Sequence, residues 1–151
     1  MEQTNKEEPI VILLVDDSPG DVRLAVEALK DSAVKSKVHT ARDGVEAMAF
    51  LRNEGKYARM PHPDLVLLDL NMPRKDGRET LAEIKTDDKL KHIPVIILTV
   101  SSAEEDIIKA YKFHANCYIT KPIELDQFNK CVGSIEEFWF RTAKLPPKAG
   151  A

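Results

Sequence analysis

Asp16, Asp17, Asp69, Thr99 and Lys121 bring carboxylates, a hydroxyl and an ammonium to comparable places in this chain. Each stands at the end of a short apolar run. Ile10-Val11-Ile12-Leu13-Leu14-Val15 leads into Asp16-Asp17, Leu65-Val66-Leu67-Leu68 into Asp69, and Pro94-Val95-Ile96-Ile97-Leu98 into Thr99. Cys117-Tyr118-Ile119 leads through Thr120 to Lys121-Pro122. Carboxylates gathered in one place repel and raise one another's pKa values, so three of them together call for a cation. A hard divalent ion such as Mg²⁺ takes oxygen ligands and keeps several waters, so one or two carboxylates suffice. Phosphoryl transfer needs an in-line nucleophile and positive charge on the equatorial oxygens. Asp69 is the candidate nucleophile, because a carboxylate can form an aspartyl phosphate. Lys121 would be the protein's own cation on that group, and Thr99 would donate its hydroxyl to a phosphoryl oxygen. The metal ligands would be Asp16, Asp17, Asp69 and the backbone carbonyl of Asn71. Singly, each residue has an ordinary reading: a helix cap, a strand end, a solvated lysine, or turn punctuation at Met72-Pro73 and Lys121-Pro122. Their joint order and spacing is what points to metal-assisted phosphoryl chemistry.

The elements that must position these groups are legible around them. Runs this short, β-branched and apolar on both faces read as buried strands of a parallel sheet, whose ligands sit outside the carboxyl ends of the strands. Val22, Ala25, Val26 and Leu29 fall on one helix face, with Ser18 as cap and Pro19 in the first turn. The weaker run Lys37-Val38-His39-Thr40-Ala41 reads as an edge strand. Asp43 and Glu46 open a second helix through Val45, Met48 and Ala49, in the manner of a capping pair. The stretch 53–63, with Gly55, Pro61 and Pro63, reads as a surface loop. Leu81 and Ile84 mark a third helix after an Asp76-Gly77 turn. Ser102 and Glu105 form a capping-box pattern before a fourth, which contains Ile107, Ile108 and Tyr111. A last helix over 124–141 carries Leu125, Phe128, Val132, Ile135 and Trp139 at helical spacing. Strand and helix alternate five times, which predicts a five-stranded parallel α/β sandwich.

At 151 residues, 43% hydrophobic and 31% charged, the chain suits one domain with a sizeable core. The expected organisation is a polar segment over 1–9, a domain over 10–141 and a tail over 142–151 containing Pro146-Pro147. With no second domain to act as an output module, a signal would leave through a separate partner. The net charge of −3 and the scattered basic residues argue against nucleic acid or an anionic membrane as partner. No apolar stretch approaches the roughly 18 residues of a membrane span. The polar, acidic start is unlike a signal peptide, so the cytoplasm is the expected compartment. Cys117 and Cys131 lack metal-ligand spacing and read as two reduced, mostly buried thiols.

Val15-Asp16-Asp17, then Leu68-Asp69-Leu70-Asn71-Met72-Pro73-Arg74-Lys75-Asp76-Gly77, Leu98-Thr99 and Thr120-Lys121-Pro122, together resemble a response-regulator receiver domain. The resemblance covers nearly the whole chain, roughly 10–141. It implies a flavodoxin-like (βα)5 fold, a doubly wound parallel sheet in the strand order 2-1-3-4-5. It implies that Asp69 is the phosphorylated aspartate and that Asp16 and Asp17 are the acidic pair positioning Mg²⁺, with Asn71 lending its carbonyl. Thr99 and Tyr118 match the switch pair, Lys121 matches the phosphate-contacting lysine, and the Lys121-Pro122 bond is expected to be cis. On phosphorylation Thr99 would move toward the new charge and Tyr118 would turn inward, repacking the face of the fourth helix, fifth strand and fifth helix. Val100 is bulkier than the Ala or Gly common after the threonine, so slower access of water or small phosphodonors to Asp69 is expected.

A narrower resemblance lies in Asn116-Cys117-Tyr118-Ile119-Thr120-Lys121, Ile135-Glu136-Glu137-Phe138-Trp139 and Leu145-Pro146, which look like the cyanobacterial phytochrome response regulators. It implies a phytochrome-type sensor histidine kinase as the phosphoryl source. Phe138 and Phe140 lie off the core stripe of the last helix, so Phe138, Trp139 and Phe140 are candidate interface residues for a homodimer. The downstream protein is unknown. This reading makes the chain a phosphoacceptor with intrinsic phosphorylation and dephosphorylation chemistry, not an enzyme. Competing classes fit less well. A haloacid-dehalogenase-type hydrolase would want its nucleophile and acid two residues apart after the first strand. A flavin binder would want a hydroxyl- and glycine-rich loop where Asp16-Asp17 would repel phosphate. A receiver-like interaction module without phosphate turnover stays open as the alternative. Transcription-factor function fits poorly as well, because no DNA-reading helix follows Ala151 and the net charge is negative.

Overall fold

A computed structural model describes residues 9–30, 35–100, 102–121, 130 and 134. Within them the chain runs β1 (Ile10–Val15), α1 (Pro19–Lys30), β2 (Ser36–Ala41), α2 (Gly44–Leu51), β3 (Leu65–Leu68), α3 (Gly77–Thr86), β4 (Val95–Thr99), α4 (Glu104–Lys112) and β5 (Cys117–Thr120). The five strands pair in parallel in the order β2-β1-β3-β4-β5. That is the predicted flavodoxin-like sheet.

Burial on both faces explains the composition of the strands. Leu13, Val15, Val66, Leu68, Val95 and Ile97 pack with α2, α3 and α4, whereas Ile12, Leu14, Leu65, Leu67, Ile96 and Leu98 pack with Ala25 and Leu29 of α1. Successive residues point to opposite faces, so a strand covered on both sides must be apolar throughout. β2 is one of the two edge strands, with only Ala41 buried, and its mixed composition follows from that position. On β5, Tyr118 packs toward the α2–α4 side and Cys117 and Ile119 toward α1.

Helix starts agree with the sequence in two cases and differ in two. Ser18 Oγ accepts the Asp21 N–H at 3.4 Å, and Asp43 caps α2 by accepting the Glu46 N–H at 2.9 Å. The Ser102/Glu105 box does not form: α4 begins at Glu104 behind Ala103, without a side-chain cap. Glu104, Glu105 and Asp106 in its first turn complement the helix dipole instead. Conversely, Asp76-Gly77 is no free turn. Asp76 is the N-cap of α3 in a reciprocal capping box with Glu79, and Gly77 is the first helical residue. The 53–63 loop contains a 3-10 turn at Gly55–Tyr57, braced by Asn53 Nδ2 donating to the carbonyls of Tyr57 (3.1 Å) and Met60 (2.8 Å).

Lys130 and Ser134 are helical, as the last predicted helix requires. Phe138, Trp139, Phe140, Cys131, Pro122 with its peptide bond, and the segments 1–8 and 142–151 lie outside the described residues. Cys117 is a free, part-buried thiol. No helix among the described residues is long and apolar enough to cross a membrane.

Candidate active site

The order of the sheet reverses between β1 and β3, and the crevice outside that switch point is where the polar residues meet. The register pairs Val15 with Leu68, so the residues that follow, Asp16 and Asp69, end adjacent strands. The Asp69 N–H donates to the Val15 carbonyl at 2.9 Å, which fixes the nucleophile candidate to the β1 terminus. Asp16, Asp17 and Asp69 each offer an oxygen within 4.8 Å of the others. Asp16 and Asp69 are buried and Asp17 is exposed, which leaves the cluster open on one side. Three hard anionic donors this close fit a hard divalent cation. Asn71 stands two residues beyond Asp69, its N–H 3.4 Å from Asp69 Oδ1.

Lys121 enters from the end of β5, held by its N–H donating to the Thr99 carbonyl at 2.6 Å. Its ammonium lies 2.6 Å from Asp16 Oδ2, 2.7 Å from Asp21 Oδ2 and 3.4 Å from Asp69 Oδ2. The lysine expected beside Asp69 thus rests chiefly on two other carboxylates. Burial favours its neutral form, but Asp16 and Asp21 outweigh that and raise its pKa. Burial likewise raises the Asp16 pKa, against the opposing pull of Lys121 and the Ser18 N–H. Asp21 was missed in the sequence. The only signal it carried was an acid in the first turn of α1, which helix-dipole complementarity already accounts for.

Thr99 closes β4 fully buried, while Val100 after it is 63% exposed. Tyr118 is half-buried on the α4 side. Arg78, at the start of α3, makes a two-pronged ion pair with Asp106 of α4: Nε to Oδ1 at 3.0 Å and Nη2 to Oδ2 at 2.8 Å. The loop between β3 and α3 is held from the other side. Arg74 is left-handed at φ 61°, an unfavourable region for a residue with a Cβ. Its Nε and Nη2 both meet Asp43 Oδ2, at 2.8 and 2.7 Å, and the Gly44 N–H donates to the Lys75 carbonyl at 2.9 Å. The α2 N-terminus therefore braces the loop that carries Asn71.

The sequence model of the response regulator receiver domain matches residues 12–132. The chain belongs to that family. Across 138 residues it is 52% identical to Response regulator Rcp1 of Synechocystis sp., covering 91% of this chain and 94% of that protein. The structure of the phosphorylated cyanobacterial phytochrome response regulator RcpA superposes with a TM-score of 0.90 at 55% identity, covering 93% of this chain and all of that one. The Mn²⁺-bound form of Rcp1 gives 0.88 at 52% identity, over 92% of this chain and 100% of its own. Membership of the receiver family accounts for both the sheet order and the acidic cluster at its switch point.

Proposed function

We propose that this receiver accepts a phosphoryl group on Asp69, with Mg²⁺ held by Asp16, Asp17, Asp69 and the Asn71 carbonyl. The observation that carries the reading is the convergence of three carboxylates and a buried ammonium on the ends of β1, β3 and β5. A bound divalent cation would neutralise charge on the phosphoryl oxygens and on the acids themselves. The chain's own residues do the rest. An Asp69 oxygen attacks phosphorus while the bond to the donor breaks, Lys121 takes up the charge gained at Asp69, and the Thr99 hydroxyl donates to a phosphoryl oxygen. No second substrate is acted on, so the chain is a phosphoacceptor and not an enzyme.

The donor in this reading is a phytochrome-type sensor histidine kinase, as the similarity to RcpA and Rcp1 suggests. The compartment is the cytoplasm. Thr99 and Tyr118 form the switch that alters the α4–β5 face, and Phe138, Trp139 and Phe140 join two copies into a homodimer that presents that face to a separate downstream protein.

Intact mass after incubation with Mg²⁺ and acetyl phosphate tests the central step. Wild type should gain one phosphoryl group and Asp69→Asn none. Failure of wild type to gain it from either acetyl phosphate or a phosphorylated histidine kinase would leave only an interaction module. Truncation before Phe138 should convert a dimer to a monomer by light scattering; an unchanged mass would remove the interface assignment.

A further inference from the structure

Lys121 has one ammonium and three carboxylates within reach, and Asp21 is the carboxylate that phosphoryl transfer does not use. Its Oδ2 is 2.7 Å from Lys121 Nζ, nearly as close as Asp16 at 2.6 Å and closer than Asp69 at 3.4 Å. The two meet across 100 residues of sequence. The Asp21 side chain is 38% exposed, against 5% for Lys121 and 4% for Asp16. Asp21 is therefore the wet end of an otherwise buried ion cluster.

Asp16 has both oxygens engaged. Oδ1 accepts the Ser18 N–H at 2.9 Å, and Oδ2 accepts from Lys121. A divalent cation held by Asp16, Asp17 and Asp69 must share the Asp16 carboxylate with the lysine ammonium. Two cations on one buried carboxylate repel strongly, because little water screens them. The ammonium has to give ground as the cation arrives. Without a second anion it would have to lose its ion pairs inside a buried site, which is costly. Asp21, at 2.7 Å and more exposed than the rest of the cluster, supplies that anion.

We infer that Asp21 is a positioning residue: a second berth for the Lys121 ammonium that relieves Asp16 when a divalent cation binds. It thereby sets both the cation affinity of the site and the readiness of Lys121 to move toward a phosphoryl group on Asp69. The inference rests on the reading of this site as a cation-dependent phosphoacceptor, and it adds a residue that controls it. Removing Asp21 leaves the ammonium to Asp16 and Asp69 alone, where it competes directly with the cation.

Simple loss of a nearby negative charge would also weaken cation binding, so the test is a double-mutant cycle on the full chain. Binding of Mn²⁺ alone is measured from the electron paramagnetic resonance signal of the free ion. Asp21→Asn should weaken binding roughly fivefold in the wild-type background and by less than about twofold where Lys121→Met is already present. Equal losses in the two backgrounds would show Asp21 acting as a plain charge or a ligand, and would overturn the assignment. If Asp21→Asn does not fold by circular dichroism, Asp21→Ser, which keeps a residue tolerated in a first helical turn, takes its place under the same criteria. A wild-type chain that binds no Mn²⁺ would overturn the phosphoacceptor reading itself. A wild type that binds, with equal losses, would overturn only the role of Asp21.

Discussion

Gly77→Ala should damage stability and phosphoryl uptake together, through a single methyl group. A Cβ at position 77 would lie 2.6 Å from Leu70 Cα and 2.8 Å from the Asp69 carbonyl carbon, and closer still to the Asp69 carbonyl oxygen. Carbon atoms pack at about 3.5 Å or more, so the overlap with Leu70 Cα is about 0.9 Å. Every one of these neighbours is backbone, and no rotamer change relieves it. Either α3 slides away, breaking the Gly77 N–H bond to the Leu70 carbonyl (2.9 Å) and straining the Asp76–Glu79 box, or the strand end bearing Asp69 moves. Overpacking of this kind costs about 1–3 kcal/mol, and loss of the 77–70 bond adds about 1 kcal/mol. A displacement near 1 Å at the nucleophile costs on the order of 100-fold in rate. The assay is urea denaturation beside the rate of phosphoryl uptake from acetyl phosphate. Gly20→Ala is the control, because nothing lies within 4 Å of its Cβ and the substitution removes unfolded-state freedom. A Gly77→Ala chain within about 0.5 kcal/mol of wild type and equally fast in uptake would show that the added methyl displaces neither α3 nor Asp69.

Asp43→Ala should cost about 2 kcal/mol in urea denaturation, because one carboxylate both caps α2 and anchors the left-handed Arg74. Burial opposes the charge on Asp43, but the Glu46 N–H and the Arg74 guanidinium outweigh it and hold its pKa below the usual carboxylate range. Its contribution should therefore be complete above about pH 4 and fade as pH falls through the lowered value, and Asp43→Ala should flatten that part of the stability curve. His39 behaves in the opposite setting: burial, then Lys37, lowers its pKa, and its buried Nε2 has no hydrogen-bond partner. The unfolded chain then binds the extra proton first, so stability should be full above about pH 6.5 and decline below it until the folded value is passed. His39→Leu should remove that slope; a slope that persists would place its origin elsewhere. Val100→Ala should speed phosphoryl uptake from acetyl phosphate and hydrolysis of the product by a few-fold, on the order of 1 kcal/mol in barrier. An unchanged dephosphorylation rate would remove the shielding role of Val100.

Most of the site was legible because its signals are local. An apolar run closed by an acid is readable as a buried strand with a polar end, whatever else the chain does. Parallel strands place all their carboxyl ends on one edge, so Asp16, Asp17, Asp69, Thr99 and Lys121 had to converge once the sheet was inferred. The Asp43 cap and the edge character of β2 were readable for the same reason. Where a local pattern had two readings, the sequence chose badly. Ser102/Glu105 and Asp76/Glu79 both have capping-box spacing, and only the second forms a box. Which residue becomes the N-cap depends on where the packed helix starts, and packing decides that.

Periodicity was enough to read the parallel strands, and motifs spanning a few residues were enough to read the acidic cluster and the family resemblance, which in turn implied the strand order. Packing across the fold gave Lys121 its partners, because Asp16 and Asp21 meet it across 105 and 100 residues. It also gave Gly77 its reason: the residue is helical, without the positive φ that a turn glycine announces, and is small because the Asp69 carbonyl passes beside it. Distance in space between residues far apart in sequence leaves no periodic trace, and it is packing that sets it.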